Sequence, residues 1–406
     1  MSKRENIIKR GIRKAILAAA NISLEDLVRE LRDGDSAAGK AVTVDTAMQI
    51  ATVNTCVRII SQTVASLPLH IYKRIDSGGR ERWPAHPLYR LLNSRPNIWQ
   101  TSMEWREQMV ALLLLKGNYY GAKLQHGDFI IDDIIPLDPD RMQVEQLPDY
   151  SLKYTYSRKD GSLKVFLQDE ILHIRGLSTD GVKGRSVISD ARELFGSSLA
   201  ASEYGGKLLR NDATPGLTLE TPNKLSDAAY KRLKEDWDAQ HAGSSKAGKT
   251  AILEEGLKAT KISMTADEAQ FLQTIQAQRS QIAGWFGVPL ILLSFNENTQ
   301  TYASAEQFML SFVQHTIRPW LVRIEQSFSN QLFSAPETYY PEFNIDGLLR
   351  GDLKTRYEAY AKGIGWGFLS PNEAREKENM NARPDGDKFL EPTNMRPAGT
   401  ASQEEI

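Results

Sequence analysis

The chain has 406 residues, and its hydrophobic and charged fractions, 41% and 25%, are those of an ordinary folded protein. Its 50 Lys and Arg residues nearly balance its 51 Asp and Glu residues, which leaves a formal charge of −1. This balance argues against a body that grips nucleic acid tightly through clustered cations, although it is compatible with one that lets DNA pass. The single cysteine, Cys56, excludes an intramolecular disulfide framework and a zinc site built from cysteines alone.

Residues 1–40 begin with the basic sequence MSKRENIIKRGIRKAI and end in the small, polar sequence RDGDSAAGK. The basic start lacks the apolar core of a secretory signal, so we favour an arm that is disordered or that docks on a partner over a targeting peptide. The polar end predicts a linker, with ordered structure beginning near Val42.

Residues 41–186 predict helices packed on an antiparallel sheet, an α+β arrangement. From Ile50 apolar residues recur in steps of three and four, which indicates a helix that ends at Pro68. Cys56 lies next to the apolar face of this helix, so we interpret it as a small packed side chain and not as a reactive thiol. A second helix opens at Thr101 with a capping box. Short strands follow in NYYGAKL, FIIDDII, RMQVEQL, LKYTYS and EILHIRG.

Residues 187–288 predict two long helices with a small αβ module between them. The first helix covers about residues 187–210 and is broken by NDATPG. The module contains the strand LTLE, a helix over Ser226–Ala239, and the strands TAILEE and LKATKIS. The second long helix starts at Thr265 with another capping box. This order predicts a stalk with a head.

The stretch GWFGVPLILLSFNENTQTYASAEQF, Gly284–Phe308, places an apolar shoulder and a polar tip between two helices. Its apolar part is broken by Pro289 and is shorter than the roughly 20 residues that cross a bilayer, so no membrane span is predicted. A helix follows from about Ser304, and a kink is expected at Pro319 because proline lacks an N–H group. One or two more helices precede a Pro/Gly-rich tail from Arg383, for which disorder is expected.

The sharpest chemical motif is GSSKAGKT, Gly243–Thr250, which matches the phosphate-binding loop of nucleotide hydrolases. That loop normally leaves a strand and enters a helix, whereas here a helix precedes it and a strand-like segment follows. We therefore interpret it as a solvent-exposed loop. Asp128, Asp132 and Asp133 are interpreted as hairpin and edge-strand charges, and His173 as a hydrogen-bonded sheet residue. No catalytic group, metal site or cofactor site is predicted.

Several sequence blocks together carry a resemblance that is more specific than any single motif. They are ATVNTCVRIISQTVASLPLHIY with HPLYRLLNSRPN, TSMEWREQMVALLLLKGNYYGAKL, YASAEQFMLSFVQHTIRPWLVRIEQSFSNQLF, and FNIDGLLRGDLKTRYEAYAKGIGWGFLSPNEAREKENM. The last block carries a G-x-x-x-x-N-E-x-R pattern in Gly367, Asn372, Glu373 and Arg375. From about Thr46 to Asn394 the chain thus resembles the portal proteins of tailed double-stranded DNA bacteriophages.

Two positions depart from the family's pattern. Leu290 and Ser294 stand where the family often has a second proline and then a glycine after G-V-P. Asp385-Gly386-Asp387 stands where a Gly-Gly-Asp is often seen. These departures concern the local shape of the loops and not the family assignment.

The resemblance implies a ring, usually twelvefold, at one capsid vertex, through which DNA is packaged and later ejected. It also implies a division into arm, wing, stem, clip and crown. This division maps onto the sequence as a flexible basic arm (1–40), wing (41–186), first stem helix (187–213), clip (214–263), second stem helix (264–288), tunnel loop (289–302), kinked helix and return to the wing (303–350), crown (351–382) and disordered tail (383–406).

The partners implied by the resemblance are further copies of the chain, DNA bound without sequence specificity, the packaging ATPase (terminase), the major capsid protein and scaffold, and a head–tail adaptor. The implied location is the virion, and the host cytoplasm during assembly. Neither enzymatic activity nor a cofactor is expected. Two clip lysines are expected to face the packaging ATPase or the adaptor: Lys246 and Lys249.

The shoulder and tip match the position of the family's tunnel loop, which projects into the channel. We expect the shoulder to pack against the neighbouring subunit and hold the loop; its members are Leu290, Ile291, Leu292 and Leu293. We expect the polar tip to face DNA; its members are Asn296, Glu297, Asn298, Thr299 and Gln300. A ring of Glu297 would repel the phosphate backbone and keep it centred. A plain surface loop is the alternative for this stretch.

Two other functions stay open at this stage. One is a different ring-forming head–tail adaptor or a capsid-associated scaffold, which would lack the two long helices around a small αβ module. The other is a nucleotide hydrolase built on GSSKAGKT, which the inverted order of helix and strand disfavours.

Overall fold

The structure is a computed structural model in which the chain forms two compact units. The first unit contains residues 1–58, 113–117 and 176–293, and the second contains residues 59–112, 118–175 and 294–406. The structure describes residues 36–75, 78–125, 131–210, 217–220, 231, 258–261, 266–293, 302–345, 348, 353–378 and 380–390.

Helices and antiparallel strands alternate along these residues, which confirms the predicted α+β class. The helices are α1 (Val44–Met48), α2 (Ala51–Ser66), α3 (Leu88–Asn93), α4 (Ser102–Lys116), α5 (Val187–Asp190), α6 (Arg192–Arg210), α7 (Ala266–Phe286), α8 (Tyr302–Phe312), α9 (Arg318–Leu332), α10 (Leu353–Gly365) and α11 (Pro371–Lys377). The strands are β1 (Leu69–Arg74), β2 (Arg80–Arg82), β3 (Asn118–Gln125), β4 (Ile131–Leu137), β5 (Met142–Gln146), β6 (Leu152–Ser157), β7 (Leu163–Phe166), β8 (Ile171–Arg175), β9 (Leu217–Glu220), β10 (Lys258–Lys261) and β11 (Tyr339–Phe343).

The first unit is organised around the two long helices α6 and α7. The ring of Tyr204 on α6 meets the ring of Phe271 on α7 edge-on, with centroids 5.3 Å apart. The sequence predicts one unbroken first helix, but Ala191 (φ −101°, ψ 23°) leaves the helical region and separates α5 from α6. Strands β9 and β10 pair in the predicted module. The module's predicted helix, Ser226–Ala239, lies almost entirely outside the described residues, and TAILEE lies wholly outside them.

A three-glycine junction ties the end of α4 to the loop that leads into α5. The Gly176 N–H donates to the Gly117 carbonyl oxygen at 2.7 Å. A methyl group on Gly117 (φ 75°) would lie 2.2 Å from the Arg185 carbonyl oxygen, and one on Gly184 would lie 1.9 Å from the Gly117 carbonyl oxygen. These backbones touch directly, so only glycine fits at the crossing.

The N-terminal segment of the described chain packs on α6, where the sequence predicts a flexible arm through residue 40. The side chain of Ser36 lies over Gly196, where a methyl group would be 2.0 Å from its Oγ. The backbone N–H of Ala37 donates to Glu193 at 2.9 Å, and Lys40 forms an ion pair with Glu203. The expected boundary of the arm is therefore wrong by several residues. Ser36 packs in the groove that Gly196 leaves on α6, and composition does not reveal this groove.

The second unit contains separate three-stranded sheets where the sequence predicts one. Their strand orders are β11-β1-β2, β4-β3-β8 and β5-β6-β7. Trp105 on α4 lies in the core of this unit, with its Nε1 donating to the Tyr119 hydroxyl at 2.6 Å. Its ring stacks on Phe328 of α9, with centroids 5.7 Å apart.

Helix α9 satisfies backbone groups on two of these sheets. The side-chain amide of Gln331 accepts from the His173 N–H at 2.8 Å and donates to the His173 carbonyl at 2.9 Å, which completes the outer edge of β8. Arg323 Nη1 donates to the Arg175 carbonyl at 2.7 Å on the same strand. The Glu325 carboxylate accepts from the Phe343 N–H of β11 at 2.7 Å. The helix thus protects strand edges that would otherwise be unpaired.

Two predictions about single buried residues are confirmed. The His173 ring is buried and lies between the Tyr154 hydroxyl (3.2 Å from Nδ1) and Asn118 Oδ1 (3.1 Å from Nε2), so it is a satisfied sheet residue. Cys56 is fully buried on α2, and burial raises the pKa of its thiol to about 12. It is therefore a packed side chain and a poor nucleophile.

The long C-terminal helix changes its hydrogen bonding one turn before Pro319. Helices α8 and α9 are joined by a π-helical turn, Val313–Ile317, in which the Arg318 N–H donates to the Val313 carbonyl. Pro319 then occupies the first turn of α9, where its missing N–H costs little. The sequence predicts an irregularity at Pro319, and the structure has it one turn earlier, as a widened π-helical turn.

Candidate functional site

Helix α7 ends in a fixed geometry immediately before the predicted tunnel loop. Gly287 has φ 68°, and its N–H donates to the Gly284 carbonyl at 3.1 Å. The Val288 N–H donates to the Ala283 carbonyl at 2.9 Å. These two bonds make a Schellman cap, and Pro289 follows, where the helix cannot continue. The sequence GWFGVP therefore sets the direction in which the chain leaves the helix.

The apolar shoulder forms a 3-10 turn, Leu290–Leu293, where the sequence predicts a loop. Leu293 is only 6% exposed and packs in the core of its own chain, whereas Leu290 is 37% exposed. Ile291 and Leu292 are half-buried. Packing of the shoulder against a neighbouring copy stays a prediction, and Leu290 is its most available member.

The remaining predicted site residues lie outside the described residues, so their roles also stay predictions. They are the polar tip residues Asn296, Glu297, Asn298, Thr299 and Gln300, and the clip lysines Lys246 and Lys249.

Helix α8 carries an apolar surface that the sequence analysis missed. Phe308, Met309 and Leu310 are consecutive, large and exposed. Three consecutive residues of a helix point in directions about 100° apart, so one core cannot cover all of them. That spacing was a usable signal for an exposed apolar surface.

The G-x-x-x-x-N-E-x-R residues form one compact site in the C-terminal part of the second unit. Asn372 Nδ2 donates to the Arg383 carbonyl at 3.0 Å and to Asp387 Oδ1 at 2.9 Å, while Asn372 Oδ1 accepts from the Arg383 N–H at 2.9 Å. Glu373 and Ser370 form a capping box at the start of α11. The asparagine therefore clamps the chain that follows α11 back onto the helix.

The glycine and arginine of the same pattern hold the rest of this segment. A methyl group on Gly367 (φ 77°) would lie 2.2 Å from the Leu390 carbonyl oxygen, and Arg375 Nε donates to the Asn381 carbonyl at 2.7 Å. The disorder expected for the tail is therefore wrong for residues 383–390. Composition alone predicts disorder there, because it does not record the hydrogen bonds that hold this segment on a helix earlier in the chain.

The departure at Asp385-Gly386-Asp387 is compatible with this clamp. Asp385 adopts φ 60°, a left-handed conformation that aspartate tolerates better than most residues. A methyl group on Gly386 would lie 2.3 Å from Asn372 Oδ1, so the middle position requires glycine. Asp387 accepts from Asn372. Gly386 and Asp387, the two positions that contact Asn372, match the last two residues of the family's usual Gly-Gly-Asp.

Within the described residues, no group of three or more His, Cys, Asp or Glu side chains is placed to hold a metal ion. Asp132 is exposed and Asp133 half-buried on β4, an edge strand, as predicted; Asp128 lies outside the described residues. No helix in the described part of the chain is long and apolar enough to cross a membrane.

Comparison with known proteins identifies the family. The family model for phage portal proteins matches residues 51–379. A probable portal protein of Streptomyces phage phiC31 is 36% identical over 383 residues, covering 90% of this chain and 82% of that protein. The portal protein of Enterobacteria phage HK97 is 32% identical over 345 residues, covering 84% and 81%. The fold is similar to a chain from the neck of an empty gene transfer agent particle computed with C6 symmetry, with a TM-score of 0.61, 26% identity, and coverage of 81% of this chain and 90% of that chain. The chain belongs to the phage portal protein family.

Proposed function

We propose that this protein assembles as a ring at one capsid vertex and forms the channel through which phage DNA is packaged and later ejected. The family match across residues 51–379 carries the proposal. The likeness to a chain in a particle neck supports it. A twelvefold ring is expected, in the virion after assembly in the host cytoplasm.

The charge of the chain suits such a channel. Each copy contributes a formal charge of −1, so the ring carries no net positive charge that would attract DNA. A channel lined by many cations would bind the phosphates and release their counterions, which would oppose sliding. A nearly neutral chain lets DNA move without a preferred register.

The polar tip, Asn296–Gln300, is proposed to meet the DNA, with Glu297 repelling the backbone. The Schellman cap at Gly287 supports this role, because it fixes the root from which the loop leaves α7. Leu290 is proposed to hold the loop against the neighbouring copy.

A ring of Glu297→Lys tests the role of the tip, because it replaces repulsion by attraction. Packaging should slow or stall, most clearly at low salt, where charges are least screened. The control, Glu81→Lys, makes the same charge change on the exposed edge strand β2 and should package normally. Normal packaging by Glu297→Lys rings at low salt would mean that this loop does not meet DNA.

The proposed partners are the packaging ATPase and the head–tail adaptor at the clip, and the major capsid protein and scaffold elsewhere. Lys246 and Lys249 are proposed to face the clip partners and not a nucleotide, and the ring itself is proposed to have no hydrolytic activity. Lys249→Ala should leave rings intact and affect docking at most. Stoichiometric ATP binding that this change abolishes would contradict the proposal and favour a nucleotide hydrolase.

The ring itself is tested by negative-stain imaging and native mass measurement of the full chain. Hollow rings of uniform mass, without ATP hydrolysis, are expected. A chain that stays monomeric at micromolar concentration, and that forms no ring in phage heads, would contradict the proposed function.

A further inference from the structure

An exposed apolar patch lies in the C-terminal part of the second unit. Its members each expose more than half of their surface: Trp366 (57%), Phe368 (73%), Phe389 (55%) and Leu390 (54%). They come from two chain segments that meet at Gly367, which lies directly against the Leu390 carbonyl. The two segments therefore lie side by side, and these four exposed side chains are called the apolar patch below.

The apolar patch is held in place by a rigid frame. The Gly367 N–H donates to the Ile364 carbonyl at 3.1 Å, and the Asn372 clamp holds the second segment. Beneath the frame, Arg356 Nη2 and the Tyr360 hydroxyl both donate to Glu378 at 2.9 Å. A surface that is already ordered loses little entropy when it binds, which is the property of a docking surface.

The segment that follows Leu390 offers few apolar side chains to cover this patch. After Leu390 the sequence continues as EPTNMRPAGTASQEEI, whose large apolar residues are Met395 and Ile406. The patch exposes roughly 450 Å² if each aromatic side chain offers 150–250 Å² when fully exposed. That is about half of what one partner contributes to a standard protein interface.

Helix α10 offers a second surface on its opposite side. Tyr357, Ala361 and Gly365 recur every four residues and are exposed. The Phe368 ring lies over Gly363, and a methyl group added at Gly363 would be 3.2 Å from this ring. Because an α-helix has 3.6 residues per turn, Gly363 faces about 160–200° away from Ala361 and Gly365. Phe368 of the apolar patch and this face therefore lie on opposite sides of α10.

A closed ring needs two different surfaces on each subunit, one for each neighbour. We propose that the apolar patch of one copy packs on the Tyr357, Ala361 and Gly365 face of the next copy. The two small residues let the aromatic rings approach the helix closely. This inference rests on the proposed ring and adds the surfaces that close it.

Cross-linking tests the contact directly. The variant Ala361→Cys with Phe389→Cys places one thiol on each surface, and the natural Cys56 is buried and unreactive. A short bis-maleimide linker should convert rings into a ladder of covalent oligomers that ends at the ring size. Each single variant, and the pair Leu163→Cys with Phe389→Cys, should give no ladder. Rings of the test pair that give no more product than these controls would overturn the proposal.

Assembly supplies an independent measurement. Phe368→Asp should raise the concentration at which half of the chains are in rings by at least tenfold, while Leu177→Asp, an equally exposed leucine outside the patch, should change it by less than twofold. Circular dichroism checks that both variants fold. An unchanged midpoint for Phe368→Asp would overturn the inference and leave the proposed function intact, whereas a wild-type chain without rings would overturn both.

The alternative occupant is the chain's own C-terminus. Deleting residues 391–406 should leave maleimide labelling of Phe389→Cys rings unchanged, since the neighbouring copy covers the patch. An increase in labelling of at least tenfold would mean that these residues cover it, which would overturn the proposal.

Discussion

Replacing Asn372 by alanine tests whether one side chain holds residues 380–390 on α11. The side chain makes three hydrogen bonds to this segment at 2.9–3.0 Å and is buried. Each such bond contributes about 1 kcal/mol net, so its removal should cost about 3 kcal/mol locally. Local opening should then become about 150-fold more frequent.

Native-state hydrogen exchange measures this opening. Peptides covering residues 380–390 should lose about two orders of magnitude of protection, whereas peptides covering β3 and β4 should not change. Asn93→Ala is the matched control, because the side-chain nitrogen of Asn93 has no hydrogen-bond partner within the described residues. Equal protection of residues 380–390 in Asn372→Ala and Asn93→Ala would refute the clamp.

The remaining predictions concern single residues elsewhere in the two units. Asp385→Gly should stabilise the chain by about 0.5 kcal/mol in urea unfolding, because about 1 kcal/mol of left-handed strain is relieved and glycine's freedom in the unfolded chain offsets part of it. Gly184→Ala should cost about 3 kcal/mol, because its methyl group would meet backbone atoms of Gly117, whereas Gly206→Ala on α6 meets open space and should stabilise by up to about 1 kcal/mol; equal effects would contradict the junction. Burial raises the pKa of the Glu325 carboxyl in the folded state. Its charged form therefore lowers the free energy of unfolding at alkaline pH, and this loss is recovered as the pH falls through the folded-state pKa. Glu325→Gln should therefore be more stable than the wild type at alkaline pH and lose this advantage as the pH falls, and a constant difference across a pH series of urea unfolding would contradict this.

Features set by neighbouring residues could be predicted from the sequence. The capping box at Thr101 and Glu104 forms as expected, with the Thr101 N–H donating to Glu104 at 2.8 Å. The end of α7 at Gly287 follows from glycine's access to positive φ and from the proline two residues later. Both depend on bonds that span only a few residues.

Features set by distant residues could not be predicted. Strand β11 pairs with β1 from the other end of the chain, and Pro341 within it disguised an edge strand. Helix α9 covers the outer edge of β8 through Gln331 and Arg323, a contact that no local pattern records. The ordered path of residues 383–390 depends on Asn372 in the same way.

The candidate site shows the same division. The root of the predicted tunnel loop follows from local sequence, whereas the exposed surfaces on α8 and around Gly367 gain meaning only when a partner is considered. The apolar patch scattered across GWGF and FL looks unremarkable in sequence. Its two segments lie side by side because Gly367 lets their backbones touch.

The distribution of hydrogen bonds indicates which element next to the predicted tunnel loop is least firmly held. The α7 root is fixed by its Schellman cap, and α9 is held to two sheets by Arg323, Glu325 and Gln331. Between the loop and α9 stands α8, joined to α9 by the π-helical turn Val313–Ile317. A π-helical turn is a rare form of helix that occurs mostly as a single turn inside an α-helix, frequently at functional sites. We therefore propose that, if the predicted tunnel loop moves when DNA passes, α8 rotates at this turn while α9 and the sheets that it contacts keep their positions.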